Sequence, residues 1–261
     1  MGVLLMSGLL LPAYGADRAV LRLASLEWPP YTSQSLPEDG MASAMISAVL
    51  QRVGQRARFD YFPWKRAVLA GSDDPQYAGY MPTWRTPERE AHCYFSTPIA
   101  RTSTVLAYLK GEPHPFNTLA DLAGMRVGVV AGYAYGGGFD TRVARGQFGV
   151  EEGLSDEENL RKLLVGRMRV VLIEKQVLTY LLASGKFSLD QRRRIVSADQ
   201  VINERPVAVC FQRTPRGLTL QQAFDTAAKG FDLSQFEQAY LKKLARPAAD
   251  DVGRAGISRA R

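Results

Sequence analysis

The feature that most constrains the fold is an alternation of short apolar strands with amphipathic helices near the start of the chain. Met41 begins a helix whose apolar side chains recur at the i, i+3, i+4 and i+7 positions. Pro63 opens a second helix, for which we predict an end at Gly71. The strands expected around them are residues 21–26, 58–62 and 77–81. This β-α-β-α-β order is typical of a doubly wound α/β sheet with parallel strands.

A turn-rich break at residues 110–115 separates this first unit from a second one with the same rhythm. The second unit is expected to contain a short helix after Thr118, strands at 126–130 and 170–173, a Gly-rich connection at 131–138, and helices after Ser155 and over 176–184. A strand at 207–211 and two helices close the pattern. A chain of 261 residues is long enough to give each of two units its own core.

The basic balance of the chain does not indicate a nucleic-acid partner. The net charge is +7, but the Lys and Arg residues are scattered, and their densest run, 192–194, is too short for a basic arm. The sequence contains no zinc-ligand spacing and no Gly-rich phosphate loop followed by Lys. We therefore expect no nucleic-acid partner, no metal and no cofactor.

The composition at both ends of the chain predicts segments that do not belong to the folded domain. Residues 1–15 form an apolar run that ends in the small-x-small pattern Ala13-Tyr14-Gly15, which predicts a cleaved signal peptide and an exported mature chain that starts at Ala16. This run is too short to span a bilayer. It lacks a positively charged start, so a buried strand is the alternative. Residues 246–261 have few apolar side chains and are expected to be a disordered tail.

The chain has two cysteines, Cys93 and Cys210, and each lies in a strand-like segment. An even pair in an exported protein makes them candidates for a disulfide. Two unlinked buried thiols are the alternative.

The candidate binding residue with the clearest chemistry is Arg89, in the stretch Thr86-Pro87-Glu88-Arg89. A guanidinium offers a planar fork of donors that holds a carboxylate at two points. Arg89 follows an expected strand, and α/β sheets bind small ligands beyond the carboxyl ends of their strands. A solvated Arg89 paired with Glu88 or Glu90 is the alternative.

Five segments between about residues 20 and 244 resemble, in order and in spacing, family 3 of the periplasmic solute-binding proteins. This family consists of type II receptors that bind polar amino acids for ABC transporters. The segments are Pro29-Pro30-Tyr31; Gly40 and the helix after it; Thr86-Pro87-Glu88-Arg89 with Phe95-Ser96-Thr97-Pro98; 121–129 with Gly132; and Gly166-Arg167 with Glu174.

The resemblance implies a two-lobed α/β fold, the type II periplasmic binding protein fold, with two doubly wound sheets joined by two crossover strands. Lobe 1 would comprise residues 16–104 and 203–245, and lobe 2 residues 105–202. The implied function is that of a monomeric, non-enzymatic periplasmic receptor, which closes its lobes on a small amino-acid-like solute and delivers it to an ABC permease in the inner membrane.

The resemblance also implies roles for individual residues. Arg89 would hold the α-carboxylate of the solute, Glu174 would face its α-ammonium from the other lobe, and Trp28 would stack beside it. A helix-start carboxylate at Glu174 is the alternative. For Trp28 and Tyr31 the alternative is packing around the Pro-Pro turn.

Two departures from the family pattern make the expected cleft more aromatic. Trp84 stands where the family often has Ser, and Tyr133 stands where it has Thr. The aromatic candidates for the cleft are Trp28, Tyr31, Trp64, Trp84, Tyr133 and Tyr135. They favour a flatter or larger solute, a cationic headgroup held by cation–π contact, or a cleft that is already filled.

Two other functions remain open at this point. A filled cleft would suit a sensory or accessory binding protein. A cyclohexadienyl-dehydratase-like lyase on the same fold would use Glu174 as a general acid, which requires a raised pKa from an apolar surround.

Overall fold

A computed structural model of the chain describes residues 20–112, 116 and 118–245. The predicted signal peptide, 1–15, and the predicted tail, 246–261, lie outside the described residues. Across the described residues, no helix combines the length and the apolar character needed to cross a lipid bilayer.

Within this part of the chain, ten strands form one hydrogen-bonded sheet. The strands are β1 Val20–Ser25, β2 Arg56–Tyr61, β3 Gly79–Trp84, β4 Cys93–Phe95, β5 Ala100–Leu109, β6 Arg126–Val130, β7 Gly149–Gly153, β8 Val170–Glu174, β9 Ile195–Ser197 and β10 Asn203–Gln212. Their order is β2-β1-β3-β10-β5-β8-β6-β7, with β4 beside β10 and β9 beside β5.

The sheet has two parallel halves with an antiparallel pair between them. β1 is parallel to β2 and β3 in the first half, and β6 is parallel to β7 and β8 in the second. β10 pairs with β3 over 207–211 and with β5 over 203–207, and β5 continues along β8 over 104–108. The two halves are therefore joined by two neighbouring strands, and the ladder runs through them without a break.

Helices cover the faces of the sheet. They are α1 Met41–Arg52, α2 Trp64–Asp73, α3 Pro87–His92, α4 Phe139–Ala144, α5 Asp156–Leu164, α6 Lys175–Ala183, α7 Leu189–Arg194, α8 Pro215–Ala228 and α9 Leu233–Leu244. Several start at a side-chain cap, where a hydroxyl accepts a hydrogen bond from the backbone N–H three residues later. Thr86, Ser155 and Thr214 cap α3, α5 and α8 in this way.

Two predicted boundaries are wrong for reasons of packing. α2 does not stop at Gly71 but continues to Asp73. A side chain at Gly71 would clash with Tyr80 and Gly79, so this glycine permits close helix–sheet contact instead of ending the helix. β3 is shifted towards Trp84 and includes Pro82, which lies at an irregularity of the β3–β10 ladder where no N–H is required.

The elements that sequence reasoning missed include α3, β7 and α7. β7 is an edge strand whose residues are mostly exposed or half-buried, so it lacks an apolar alternation. α3 and α7 are six residues each with no buried side chain, so neither presents an amphipathic stripe.

The two cysteines lie on neighbouring strands. β4 pairs with the end of β10, with Cys93 opposite Gln212 and Phe95 opposite Cys210. Cys93 and Cys210 form a disulfide, with their Cα atoms 5.5 Å apart. The bridge fixes the end of α3 to the sheet.

Candidate ligand-binding cleft

Arg89 lies where the two halves of the sheet meet. The Thr86 hydroxyl accepts a hydrogen bond from the Arg89 backbone N–H at 3.2 Å and starts α3. The guanidinium donates to the Trp84 carbonyl at 3.0 Å and to the Gly132 carbonyl at 3.3 Å, and it lies over the Trp64 ring. Desolvation lowers the pKa of Arg89. Among the described residues it forms no ion pair, so the expected alternative, pairing with Glu88 or Glu90, is not found.

A cavity of about 650 Å³ adjoins Arg89, and we call it the basic cavity. Its walls come from α2, α3 and the loop after β6. The lining residues are Trp64, Lys65, Val68, Leu69, Ser72, Asp73, Tyr80, Thr86, Glu88, Arg89, His92, Gly132, Tyr133 and Ala134. Lys65, Arg89 and His92 offer donors to an anionic group, and the carboxylates of Asp73 and Glu88 line the same cavity.

Six rings pack together beside this cavity and form what we call the aromatic cluster: Trp28, Tyr31, Trp64, Trp84, Tyr133 and Tyr135. Tyr133 enters it from the second half of the molecule. Its ring centroid lies 5.5 Å from that of Trp84, 6.0 Å from Trp64 and 6.3 Å from Trp28. The six aromatic side chains expected in the cleft are therefore together, between the two halves.

The loop that carries Tyr133 is fixed by donors from the first half and the crossing strand. The Trp64 indole N–H donates to the Gly132 carbonyl at 3.0 Å. Arg205 donates to the carbonyls of Ala134 and Tyr135, and its guanidinium lies 5.0 Å above the Trp84 ring. The loop therefore presents its carbonyl groups to the first half, and the aromatic cluster is closed by hydrogen bonds.

Glu174 lies apart from the basic cavity, at the end of β8. Its carboxylate accepts hydrogen bonds from the Val177 N–H at 2.8 Å and from the Ser103 N–H at 3.1 Å. Burial raises its pKa to about 7, and these backbone donors oppose the rise. Its position corresponds to the helix-start carboxylate considered from sequence, since it caps α6. Its role towards a ligand ammonium stays a prediction.

A second cavity, of about 400 Å³, lies on the other side of Trp28, and we call it the acidic cavity. It is formed by the loop after β1 and by the starts of α5 and α6. Its lining residues are Glu27, Trp28, Pro29, Ser33, Gln34, Ser35, Ser155, Asp156, Glu157, Val177, Tyr180, Leu181 and Lys186.

Asp156 is the functional candidate that sequence reasoning missed. It is only 5% exposed, and burial, followed by the nearby charge of Glu174, raises its pKa to about 7. The sequence shows a capping signature, Ser155-Asp156-Glu157-Glu158, in which three acidic residues look alike. Only tertiary packing, with Trp28 and Glu174 beside it, distinguishes Asp156 as the buried one. Arg205 and Lys65 were missed for the same reason, because their partners are distant in sequence.

No family model matches the chain, and no curated protein matches it.

Solved structures do match it over most of its length. One is the GluR0 ligand-binding core from Nostoc punctiforme in complex with L-glutamate, with 17% identity and a TM-score of 0.69, covering 87% of this chain and all of that one. Another is an ancestral arginine-binding protein bound to arginine, with 16% identity, a TM-score of 0.70 and coverage of 88% and 99%. A third is AncCDT-1, an ancestral amino-acid-binding protein described as a precursor of cyclohexadienyl dehydratase, with 15% identity, a TM-score of 0.68 and coverage of 87% and 95%.

These likenesses show the fold. The chain has the two-lobed α/β fold of the type II periplasmic binding proteins, the fold of solute-binding family 3, as the sequence predicts.

Proposed function

We propose that this protein is a non-enzymatic solute-binding receptor, which captures a small amino-acid-like molecule between its two lobes. The lobes are those expected from sequence, residues 16–104 with 203–245 and residues 105–202. The structural neighbours of known ligand, which bind glutamate and arginine, support this class of solute.

The observation that carries the proposal is the environment of Arg89. It is a desolvated guanidinium that borders a cavity of about 650 Å³ and donates only to backbone carbonyls among the described residues. Guanidinium groups bind carboxylates more strongly than neutral carbonyls, because both partners are charged and the two N–H groups match the two oxygens. A solute carboxylate in the cavity would therefore compete well for donors that the carbonyl groups of Trp84 and Gly132 now occupy.

The same contacts suggest how binding is coupled to lobe closure. Arg89 donates to one carbonyl in each half of the molecule, Trp84 in β3 and Gly132 in the loop after β6. A solute bound there would touch both lobes at once, and a ligand that contacts both lobes favours the closed arrangement over the open one. The crossing strands β5 and β10 would take up the rotation.

A thermal-shift screen of free amino acids and small organic acids tests the proposal, with Arg89→Ala as the test variant. Arg85→Ala is the matched control, because Arg85 lies on the same segment but pairs with Glu90 and does not line the cavity. At a solute concentration 100-fold above Kd, the wild type and Arg85→Ala should gain about 2.7 kcal/mol of stability. Arg89→Ala should gain far less.

Two results would contradict the proposal. One is the absence of any shift across the panel, and the other is an equal shift in the Arg89→Ala variant. Mass spectrometry of the recovered solute separates a receptor from a lyase, since a receptor returns its ligand unchanged. Glu174, the carboxylate that a lyase would use, borders neither the basic nor the acidic cavity.

Export to the periplasm, cleavage before Ala16 and delivery of the solute to an ABC permease belong to the same proposal. N-terminal sequencing of the protein from a periplasmic extract would test the first two. A mature chain that still starts at Met1, or a protein that stays with the cytoplasmic fraction, would contradict them.

A further inference from the structure

The acidic cavity carries a second inference, independent of the amino-acid site at Arg89. We propose that this cavity binds a small aliphatic ammonium compound and that Asp156 is its counter-ion.

The cavity is a built recess between the two halves of the molecule. The loop of residues 27–35 forms one wall, and the first turns of α5 and the side of α6 form the other. Hydroxyl groups of Ser33, Ser35 and Ser155 border it. Its volume of about 400 Å³ suits a molecule of several heavy atoms better than a single inorganic ion.

Asp156 differs from the two carboxylates that follow it in the chain. Glu157 is paired with Arg161 and with Lys186, and Glu158 is paired with Lys162. Asp156 is the most buried of the three, yet it forms no ion pair with any described residue. Burying an unpaired carboxylate is costly, and a cation that enters the cavity would remove most of that cost.

Trp28 supplies a second unsatisfied polar group in the same cavity. Its side chain is 3% exposed, and its indole N–H has no hydrogen-bond acceptor of normal geometry among the described residues. The N–H points towards the Asp156 carboxyl, and this side-chain interaction opposes the rise in that carboxyl's pKa. A ligand with an ammonium for Asp156 and an oxygen for the indole N–H, such as an amino alcohol, would satisfy both groups.

An anionic ligand fits this cavity poorly. α5 begins there, but Asp156, Glu157 and Glu158 already occupy its first turn and offset the positive end of the helix dipole. Glu27 adds a further carboxylate to the lining, and the one lysine of the lining, Lys186, is bound to Glu157.

The charges around Asp156 set how binding should respond to pH. Glu174 faces it from the end of β8, and the rings of Tyr133 and Tyr135 lie near enough to feel its charge. Glu27, Glu157 and Lys186 complete the surroundings. With its pKa raised to about 7, Asp156 is mostly neutral at pH 5.5 and mostly ionised at pH 8.5. An ammonium ligand should therefore bind roughly 30-fold more tightly at pH 8.5, in proportion to the ionised fraction.

Calorimetric titration of the full chain with ethanolamine and with putrescine, at pH 8.5 and at pH 5.5, tests the inference. NaCl at equal ionic strength serves as the blank. The test variant is Asp156→Asn, and the matched control is Asp199→Asn, which makes the same change at an exposed site outside the cavity. We expect the wild type and Asp199→Asn to bind an amine and Asp156→Asn to bind it at least 10-fold more weakly.

Equal binding by Asp156→Asn, heat that NaCl reproduces, or affinity that does not fall at pH 5.5 would each overturn the inference. The pH comparison uses the wild-type protein, so it tests the inference even if the Asp156→Asn variant fails to fold. Amine binding should persist in Arg89→Ala. Its persistence there, whatever the amino-acid screen gives, separates this inference from the proposed amino-acid site.

Discussion

The basic cavity and the acidic cavity share no lining residue, and the aromatic cluster lies between them. On the basic side, the donors of Arg89 are already satisfied by backbone carbonyls. On the acidic side, Asp156 is buried without a cation among the described residues. The two cavities therefore differ in charge. Arg89 and Lys65 line the first beside Asp73 and Glu88, whereas three carboxylates and one lysine line the second.

The two cavities also differ in how their walls are fixed. α3, which carries Arg89, is tied to β10 by the Cys93–Cys210 disulfide. α5, which carries Asp156, is held by its Ser155 cap and by the buried side chains of Leu160 and Leu163, and two carboxyls beside it, Asp156 and Glu174, have raised pKa values. The basic wall should therefore depend on the redox state of the protein, whereas the acidic wall should depend on pH.

Among the changes that distinguish the two cavities, removal of the disulfide should lower the stability of the protein most. The bridge spans 117 residues, and opening a loop of that size lowers the free energy of unfolding by about 3–5 kcal/mol. We expect urea denaturation of Cys93→Ser/Cys210→Ser to show this loss. Solute binding that depends on Arg89 should weaken more than amine binding at Asp156. If binding weakened equally at both cavities, the disulfide would not stabilise the wall of the basic cavity more than that of the acidic cavity.

Removal of the Tyr133 ring should join the two cavities. Tyr133→Ala takes a ring out of contact with Trp28, Trp64 and Trp84, which should cost roughly 3 kcal/mol of stability. Tyr133→Phe keeps the ring and serves as the control, with an expected cost below about 1 kcal/mol. An amino acid and an amine should compete in Tyr133→Ala but bind independently in the wild type. Independent binding in both proteins would show that another group separates the cavities.

Asp156 should make the protein less stable as the pH rises. Its pKa in the folded protein, about 7, lies above the ordinary value of 3.8, so the folded state holds its proton over a range in which the unfolded chain has lost it. Its unfavourable contribution is therefore absent below pH 4 and complete above pH 7. Asp156→Asn should raise the free energy of unfolding by up to about 4 kcal/mol at pH 8, since one pKa unit corresponds to about 1.4 kcal/mol, and should hardly change it at pH 4. Urea denaturation at both pH values would show this, and an equal effect at both would exclude titration as the cause.

The smallest effect is expected from the ion pair across the mouth of the basic cavity. Lys65 and Glu152 are 3.1 Å apart, but their side chains are 63% and 52% exposed. Exposed pairs contribute about 0–1 kcal/mol, so Lys65→Ala should shift the melting temperature by no more than a few degrees. A larger loss would indicate that this contact contributes to holding the two halves closed.

Much of the fold follows from local sequence patterns. The apolar periodicity of α1, the continuous apolar run of β8 and the caps at Thr118 and Ser155 are all visible without a structure. These elements were placed within a few residues. By contrast, the bounds predicted for β3 lie too early in the chain, and the end predicted for α2 is two residues short. Pro82 and Gly71 have their positions for tertiary reasons that no local rule contains.

The candidate site was predictable in residue type but not in arrangement. The residues named from sequence include Arg89 and the whole aromatic cluster, because an arginine after a strand and aromatic replacements at small-residue positions both attract notice. The burial of Asp156 beside Trp28, the Gly132 contact of Arg89 and the carbonyl partners of Arg205 were out of reach, because each joins two segments more than 40 residues apart.

Periodicity, turn residues and residue chemistry are local properties of the chain, and they specify the α/β alternation, the two units and the side chains available for binding. Which charged groups lose their water and which keep a partner depends on tertiary packing. Both effects arise only when the two halves of the molecule meet. They leave the Arg89 guanidinium bound to carbonyl groups and to no carboxylate, and they bury the Asp156 carboxyl without a cation among the described residues.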